Sequence, residues 1–211
     1  MAAVCRSLVM LVASLWGALV FAEETPKPAA EQALTAHEVV AAVTDETVAF
    51  INSRKDLLKK DPDAYYGKVS ALLEPVVAFE YIAKVVMANH YSGASESQRE
   101  AFAAVFKATM VETFAKGMAN YSDFDIAVIP PEKKTDGQRK VEVIQEVKSK
   151  DGTHVVSYTM AQSKGGEWKL INVVLNGINL GKSFRDQFAQ AMRQHNNNVD
   201  KVIAGWGQSS S

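Results

Sequence analysis

Ser95–Pro131, SESQREAFAAVFKATMVETFAKGMANYSDFDIAVIPP, changes its hydrophobic period partway along. In its first part Phe102, Val105, Phe106, Thr109, Met110, Thr113, Phe114 and Met118 recur at three- and four-residue steps, which places them on one face of an α-helix. Ser95-Glu96-Ser97-Gln98 stands in front with the spacing of a capping box, so a helix of about two dozen residues is predicted. From Asp123 the period becomes two. Phe124, Ile126 and Val128 alternate with Asp123, Asp125 and Ala127 until Pro130-Pro131 ends the run as a strand.

Upstream of this switch the chain reads as helices. Thr35-Ala36-His37-Glu38 is another capping box, and Val39, Val40, Val43, Thr47, Phe50 and Ile51 follow at helical spacing, predicting a first helix to about Lys59. Asp61-Pro62 supplies a cap and a first-turn proline for a second helix with Tyr65, Tyr66, Val69, Leu72 and Leu73 on its apolar face; Pro75 breaks or kinks it. Val76, Phe79, Ile82, Ala83, Val86 and Met87 mark a further short helix.

Downstream it reads first as strands. Val141, Val143, Gln145 and Val147 alternate against Lys140, Glu142, Glu146 and Lys148; Asp151-Gly152 turns into Val155–Gln162, and Gly165-Gly166 turns into Trp168–Leu175. Four consecutive strands joined by tight turns form an antiparallel meander. After a bend at Asn176-Gly177, Phe184, Phe188, Ala191 and Met192, then Val199, Val202, Ile203 and Trp206, are helical faces. Helices followed by a meander imply an α+β domain with helices on one face of the sheet. A curved sheet closed in this way makes a cone, either solid or hollow, and periodicity does not separate the two.

The amino terminus, MAAVCRSLVMLVASLWGALVFAEE, has Arg6 ahead of an apolar run from Leu8 to Phe21 and small or slim residues before Glu23. This is read as a secretory signal over residues 1–22, cut after Ala22; a retained anchor is the alternative, although the run is shorter than the roughly 20 residues a span requires. Residues 23–34 form a Pro/Ala/Glu-rich leader, and residues 35–207 a single domain. Cys5, the one cysteine, leaves with the signal, so the mature chain has no disulfide and no thiol chemistry. Loss of Arg6 leaves 22 basic residues against 24 acidic ones, a net charge of −2 that gives no sign of nucleic-acid binding.

No nucleophile elbow, zinc-binding helix motif, phosphate loop or calcium loop occurs. His37, His90, His154 and His195 are scattered over separate elements, and no cofactor or metal is expected. Asp125, Glu142 and Glu146 oppose the apolar phase of their strands and should face water. An interior without ionisable groups suits hydrocarbon, and Met87, Met110, Met160, Phe79, Phe102, Phe106 and Phe114 would give pliable, bulky walls; from composition alone, such a stripe is more often ordinary core than a ligand wall.

Three stretches, VVAFEYIAKVV (76–86), SESQREAFAAVFKATMVETFAKGMANY (95–121) and GGEWKLINVVLNGINLGKSFRDQF (165–188), resemble the MlaC family, also called toluene-tolerance auxiliary proteins. The resemblance runs from about Ala36 to Trp206 and is carried by Gln98-Arg99-x-x-Phe102, by Trp168-Lys169 and by Phe184-Arg185-x-Gln187-Phe188. Relatives commonly carry an aromatic-Asp pair where this chain has Ile171-Asn172, Glu-Gly where it has Asn176-Gly177, and Leu-Gly with a Trp where it has Met87-Ala88-Asn89-His90-Tyr91.

The resemblance implies a non-enzymatic, monomeric periplasmic carrier. It would exchange a diacyl phospholipid between an outer-membrane lipoprotein–porin complex and an inner-membrane ABC transporter bearing an MCE-domain protein, and so maintain outer-membrane lipid asymmetry. The fold implied is α+β: N-terminal helices wrapping a curved four-stranded antiparallel sheet, with C-terminal helices, around an apolar cavity. The residues expected to meet lipid are Phe79, Ile82, Val86, Phe102, Val105, Phe106, Met110, Phe114, Val143, Val147, Tyr158, Met160, Ile171, Val173, Leu175 and Arg185. Arg185 either meets a phosphate at the mouth or pins its helix to the sheet by a salt bridge. A carrier of another amphiphile such as a hopanoid, a small cone-fold enzyme and a pure adaptor remain as other readings.

Overall fold

A computed structural model describes residues 34–119, 125–133, 135, 137–150 and 152–208. The chain divides between Gln32 and Ala33, and the helices and strands described below all belong to the second unit, Ala33–Ser211. The signal and most of the leader, together with Phe124 of the first strand and Asp151 of the second turn, lie outside the described residues.

Helix α1 (Ala36–Ser53) opens on the expected capping box: the Thr35 side chain accepts from the Glu38 amide at 3.3 Å, and the Thr35 amide donates to the Glu38 carboxylate at 2.7 Å. The helix ends earlier than its sequence period predicts. Arg54, at φ −129°, interrupts it, and a separate turn α2 (Lys55–Lys60) comes next. Helix α3 (Pro62–Leu73) starts on the Asp61 cap, which accepts from the Ala64 amide at 3.0 Å. Pro75 then stops the helical run, and after a turn Val77 bridges in parallel to Leu170, which donates to the Val76 carbonyl at 2.7 Å and accepts from the Ala78 amide at 3.0 Å. Helix α4 (Phe79–Met87) and a 3₁₀ turn (Ala88–His90) lead to α5 (Glu96–Ala119), 24 residues long, with the Ser95/Gln98 box formed in both directions.

The sheet is an antiparallel meander in sequence order: β1 (Asp125–Val128), β2 (Lys140–Ser149), β3 (Gly152–Gln162), β4 (Trp168–Leu175) and β5 (Ile178–Asn179). It has five strands, not the four expected. Asn176 and Gly177, both at positive φ (47° and 80°), make a two-residue hairpin that folds Ile178-Asn179 back onto β4; two residues carry no period, so the sequence pattern does not reveal them. Between β3 and β4 the register slips. Thr159 faces Asn172 while Met160 faces Leu170, leaving Ile171 as a bulge. Helices α6 (Leu180–Gln194) and α7 (Val199–Gly205) close the chain, each started by an asparagine cap, Asn179 and Asn198.

Three clusters form the core. Val86, Met87, Phe102, Phe106, Phe188, Met192 and Val202 join α4, α5, α6 and α7. Ile51, Tyr65, Val69, Phe79, Val111 and Ala115 join α1, α3, α4 and α5. Ala36, Val40, Val141, Val143 and Met160 join α1 to the sheet. Helices α1, α4 and α6 contact the strands directly.

Candidate functional site: an apolar cavity between helices and sheet

A cavity of about 550 Å³ lies where the three clusters leave space. Its helical walls are Val40, Val43, Thr44, Thr47 and Val48 of α1, Leu73 of α3, Phe79 and Ile82 of α4, and the second half of α5 from Phe106 to Met118. Val76 and Val77 contribute from the link between α3 and α4, and Leu180, Gly181 and Phe184 from the start of α6. Ile126, Gln145, Val147, Ser149, His154, Val156, Tyr158, Met160, Leu170, Asn172, Val173 and Leu175 form the sheet wall. Among these lining residues there is no Asp, Glu, Lys or Arg. The volume is more than three times the roughly 150 Å³ apolar cavity that accommodates benzene, and falls within the ~300–1,000 Å³ usual for ligand pockets. Phe114 and Leu175 line it and are each 38% exposed, so the cavity reaches the surface beside them.

Ten of the residues singled out in the sequence come together on this wall: Phe79, Ile82, Phe106, Met110, Phe114, Val147, Tyr158, Met160, Val173 and Leu175. Six lie elsewhere. Val86 and Phe102 are fully buried in the α4/α5/α6/α7 cluster, and Val105 packs against it. The stripe on α5 is longer than the cavity, so its first half packs on α6 and α7 and only the second half faces the space. Phe102 stacks edge-on with Phe188 at 4.8 Å and Trp206 at 5.0 Å. Val143 is packed beneath α1 with Ala36 and Val40.

Ile171 is the bulged residue, and the extra position reverses the phase of β4. Leu170 points inward before it and Val173 and Leu175 after it, so the odd-numbered alternation holds only beyond the bulge. Arg185 is exposed and borders a separate recess of about 230 Å³ with Met87, His90 and Asp186; among the described residues it makes no ion pair.

The α1 wall and the Val76-Val77 link were not singled out, because an apolar helix stripe looks the same whether it faces a neighbour or a space. One interior polar group was visible in the pattern: Gln145 shares the inward phase of β2 with three valines. Its amide donates to Thr44 Oγ1 at 3.0 Å and accepts from the Tyr158 hydroxyl at 2.8 Å. Burial pushes the Tyr158 phenol up to about 12, so it remains a neutral donor. The expected outward carboxylates, Asp125, Glu142 and Glu146, are all absent from the wall, and Glu142 instead accepts from the Ser157 hydroxyl. Among the described residues no group of three His, Cys, Asp or Glu side chains gathers as metal ligands, and no helix is long and apolar enough to cross a membrane.

Helices against an antiparallel meander, with a mainly apolar cavity free of Asp, Glu, Lys and Arg between them, define an α+β protein with room for an apolar ligand. The chain belongs to the MlaC family, whose sequence model, described as "MlaC protein", matches residues 41–208. It is 37% identical over 175 residues to the toluene tolerance protein Ttg2D of Pseudomonas putida, covering 82% of this chain and 80% of that one. Its fold is similar to that of a phospholipid-binding protein from Ralstonia solanacearum solved in complex with a phospholipid. That match has a TM-score of 0.69 at 22% identity over 81% of this chain and 94% of the other.

Proposed function

We propose that this protein is a periplasmic phospholipid carrier that encloses acyl tails in the cavity and leaves the head group at the end marked by Phe114 and Leu175. The single observation that carries the reading is the cavity: about 550 Å³, mainly apolar, and lined by no Asp, Glu, Lys or Arg. Family membership and the phospholipid held by the Ralstonia relative support it.

The energetics call for such a carrier. Two tails contain about 30 methylenes, and exposing them at about 0.8 kcal/mol each costs roughly 25 kcal/mol gross, so a free phospholipid does not cross an aqueous space unaided. The same magnitude means that the carrier takes up and releases lipid while docked to a membrane complex. The partners we propose are the inner-membrane ABC transporter with its MCE-domain protein and the outer-membrane lipoprotein–porin complex, with maintenance of outer-membrane asymmetry as the outcome. The first 22 residues act as the cleaved export signal, and the carrier works as a monomer without cofactor or catalytic group.

Native purification of the exported protein from the periplasm, followed by mass spectrometry of the extracted lipid, tests this reading. Stoichiometric diacyl phospholipid is the expected result. A well-folded protein that carries no lipid, or that carries a different amphiphile, refutes it.

A further inference from the structure

Inside the otherwise hydrocarbon-like wall lies a polar spot that a purely tail-holding pocket does not need. Gln145 is 3% exposed and sits where the β2 pattern supplies valine on either side. Burying an amide without partners costs about 1–3 kcal/mol, so its presence requires hydrogen bonds. A glutamine amide offers two N–H donors and two acceptor lone pairs. Here one donor goes to Thr44 and one lone pair receives Tyr158, which leaves one amide N–H and one lone pair in hand. One turn along α1 from Thr44, the hydroxyl of Thr47 is buried and has no hydrogen-bond partner. Threonine in a helix has two accessible χ1 rotamers, so this hydroxyl can be presented to the space that Thr47 lines.

Two of the free groups, the Gln145 N–H and the Thr47 hydroxyl, can donate, and together they suit an acceptor. No Lys or Arg lines the cavity, so an uncharged acceptor suits this pair better than a phosphate. The geometry points to an ester-carbonyl site: Thr47 and Gln145, with Gln145 held in place by Tyr158 and Thr44, donate to an acyl-ester carbonyl oxygen of the bound lipid. The site would distinguish ester-linked from ether-linked lipid of identical chain length, since the ether lacks the carbonyl. This inference rests on the proposed lipid-carrier reading.

The test uses exported, delipidated protein incubated with vesicles containing equal amounts of dipalmitoyl phosphatidylglycerol and its dihexadecyl ether analogue. The protein is re-isolated and its lipid measured by mass spectrometry. Wild type should take up the ester in about threefold to tenfold preference, the range of one net hydrogen bond. Thr47→Val, which keeps the shape, and the paired change Gln145→Leu with Tyr158→Phe, which removes both partners together, should move the ratio toward one. Equal uptake of ester and ether by wild type, or an unchanged preference in both variants, overturns the ester-carbonyl site while leaving the carrier reading intact. Failure of wild type to load either lipid overturns the carrier reading, and this inference falls with it. The ester-to-ether comparison in wild type needs no variant to fold.

Discussion

Replacing Ala88 by glycine should make this protein more stable. Ala88 closes α4 at φ 48° and ψ −123°, a conformation close to the first central position of a type II′ turn, where glycine is the usual residue because a Cβ meets the neighbouring backbone. A non-glycine residue held in so sparsely populated a region costs about 1–3 kcal/mol. Glycine removes that cost but adds roughly 0.5–1 kcal/mol of unfolded-chain entropy. The difference is a net gain of up to about 2.5 kcal/mol. For a domain of this size each kcal/mol moves Tm by about 2–4 °C, so Ala88→Gly should raise Tm by up to about 10 °C.

Thermal unfolding monitored by circular dichroism measures it, with Ala101→Gly as control. Ala101 is exposed in the interior of α5, where the same substitution should cost about 1 kcal/mol and lower Tm. The two changes are chemically identical and opposite in sign only because the backbone differs. If Ala88→Gly lowers Tm as Ala101→Gly does, Ala88 is not strained and the reasoning fails.

Phe102→Ala should cost about 3–5 kcal/mol in urea unfolding, because the ring is fully buried against Phe188 and Trp206, whereas Phe114→Ala, at the exposed end of the cavity, should cost less than about 1 kcal/mol and instead shorten lipid retention. Tyr158 should contribute a pH dependence. Its folded pKa, raised to about 12 by burial, exceeds the unfolded value near 10, so its contribution is complete below pH 10 and is lost as the pH rises toward 12. Wild type should therefore lose on the order of 2–3 kcal/mol more than Tyr158→Phe between those limits, and equal losses in denaturant titrations at pH 9 and 11 would contradict the burial. Removing bound phospholipid by organic extraction and refolding should lower Tm, and adding lipid at about 100 times Kd should restore about 2.7 kcal/mol; scanning calorimetry of both forms checks it.

The order of elements was legible because each announces itself locally. The boxes at Thr35/Glu38 and Ser95/Gln98, the Asp61-Pro62 start and the turns at Gly165-Gly166 and Asn176-Gly177 form as their spacing predicts. What was hidden lacks local signal. The break at Arg54 interrupts a run whose apolar period continues across it, so the first helix looks longer than it is. Strand β5 is two residues, too few to show alternation, and exists because Asn176-Gly177 returns it to β4.

The candidate site was legible to the extent that a face can be read without knowing what covers it. Phe102 and Phe114 belong to one stripe of one helix, twelve residues apart; a helix rises about 1.5 Å per residue, so about 18 Å separates them, enough for one to be sealed in a four-helix core while the other stands at an opening. Period fixes the face and is silent about position along the axis. On β4 the loss is different: Leu170 and Ile171 are both aliphatic, so the pattern cannot say which is the extra residue, and a bulge exchanges the two faces at once. Polar residues escape this ambiguity. A Gln145 in a valine phase is costly in a solid apolar core and gains nothing from facing hydrocarbon, so its place in the inward register, with Tyr158 across the strand pair to hold it, is a feature of this wall that composition alone cannot assign to packing.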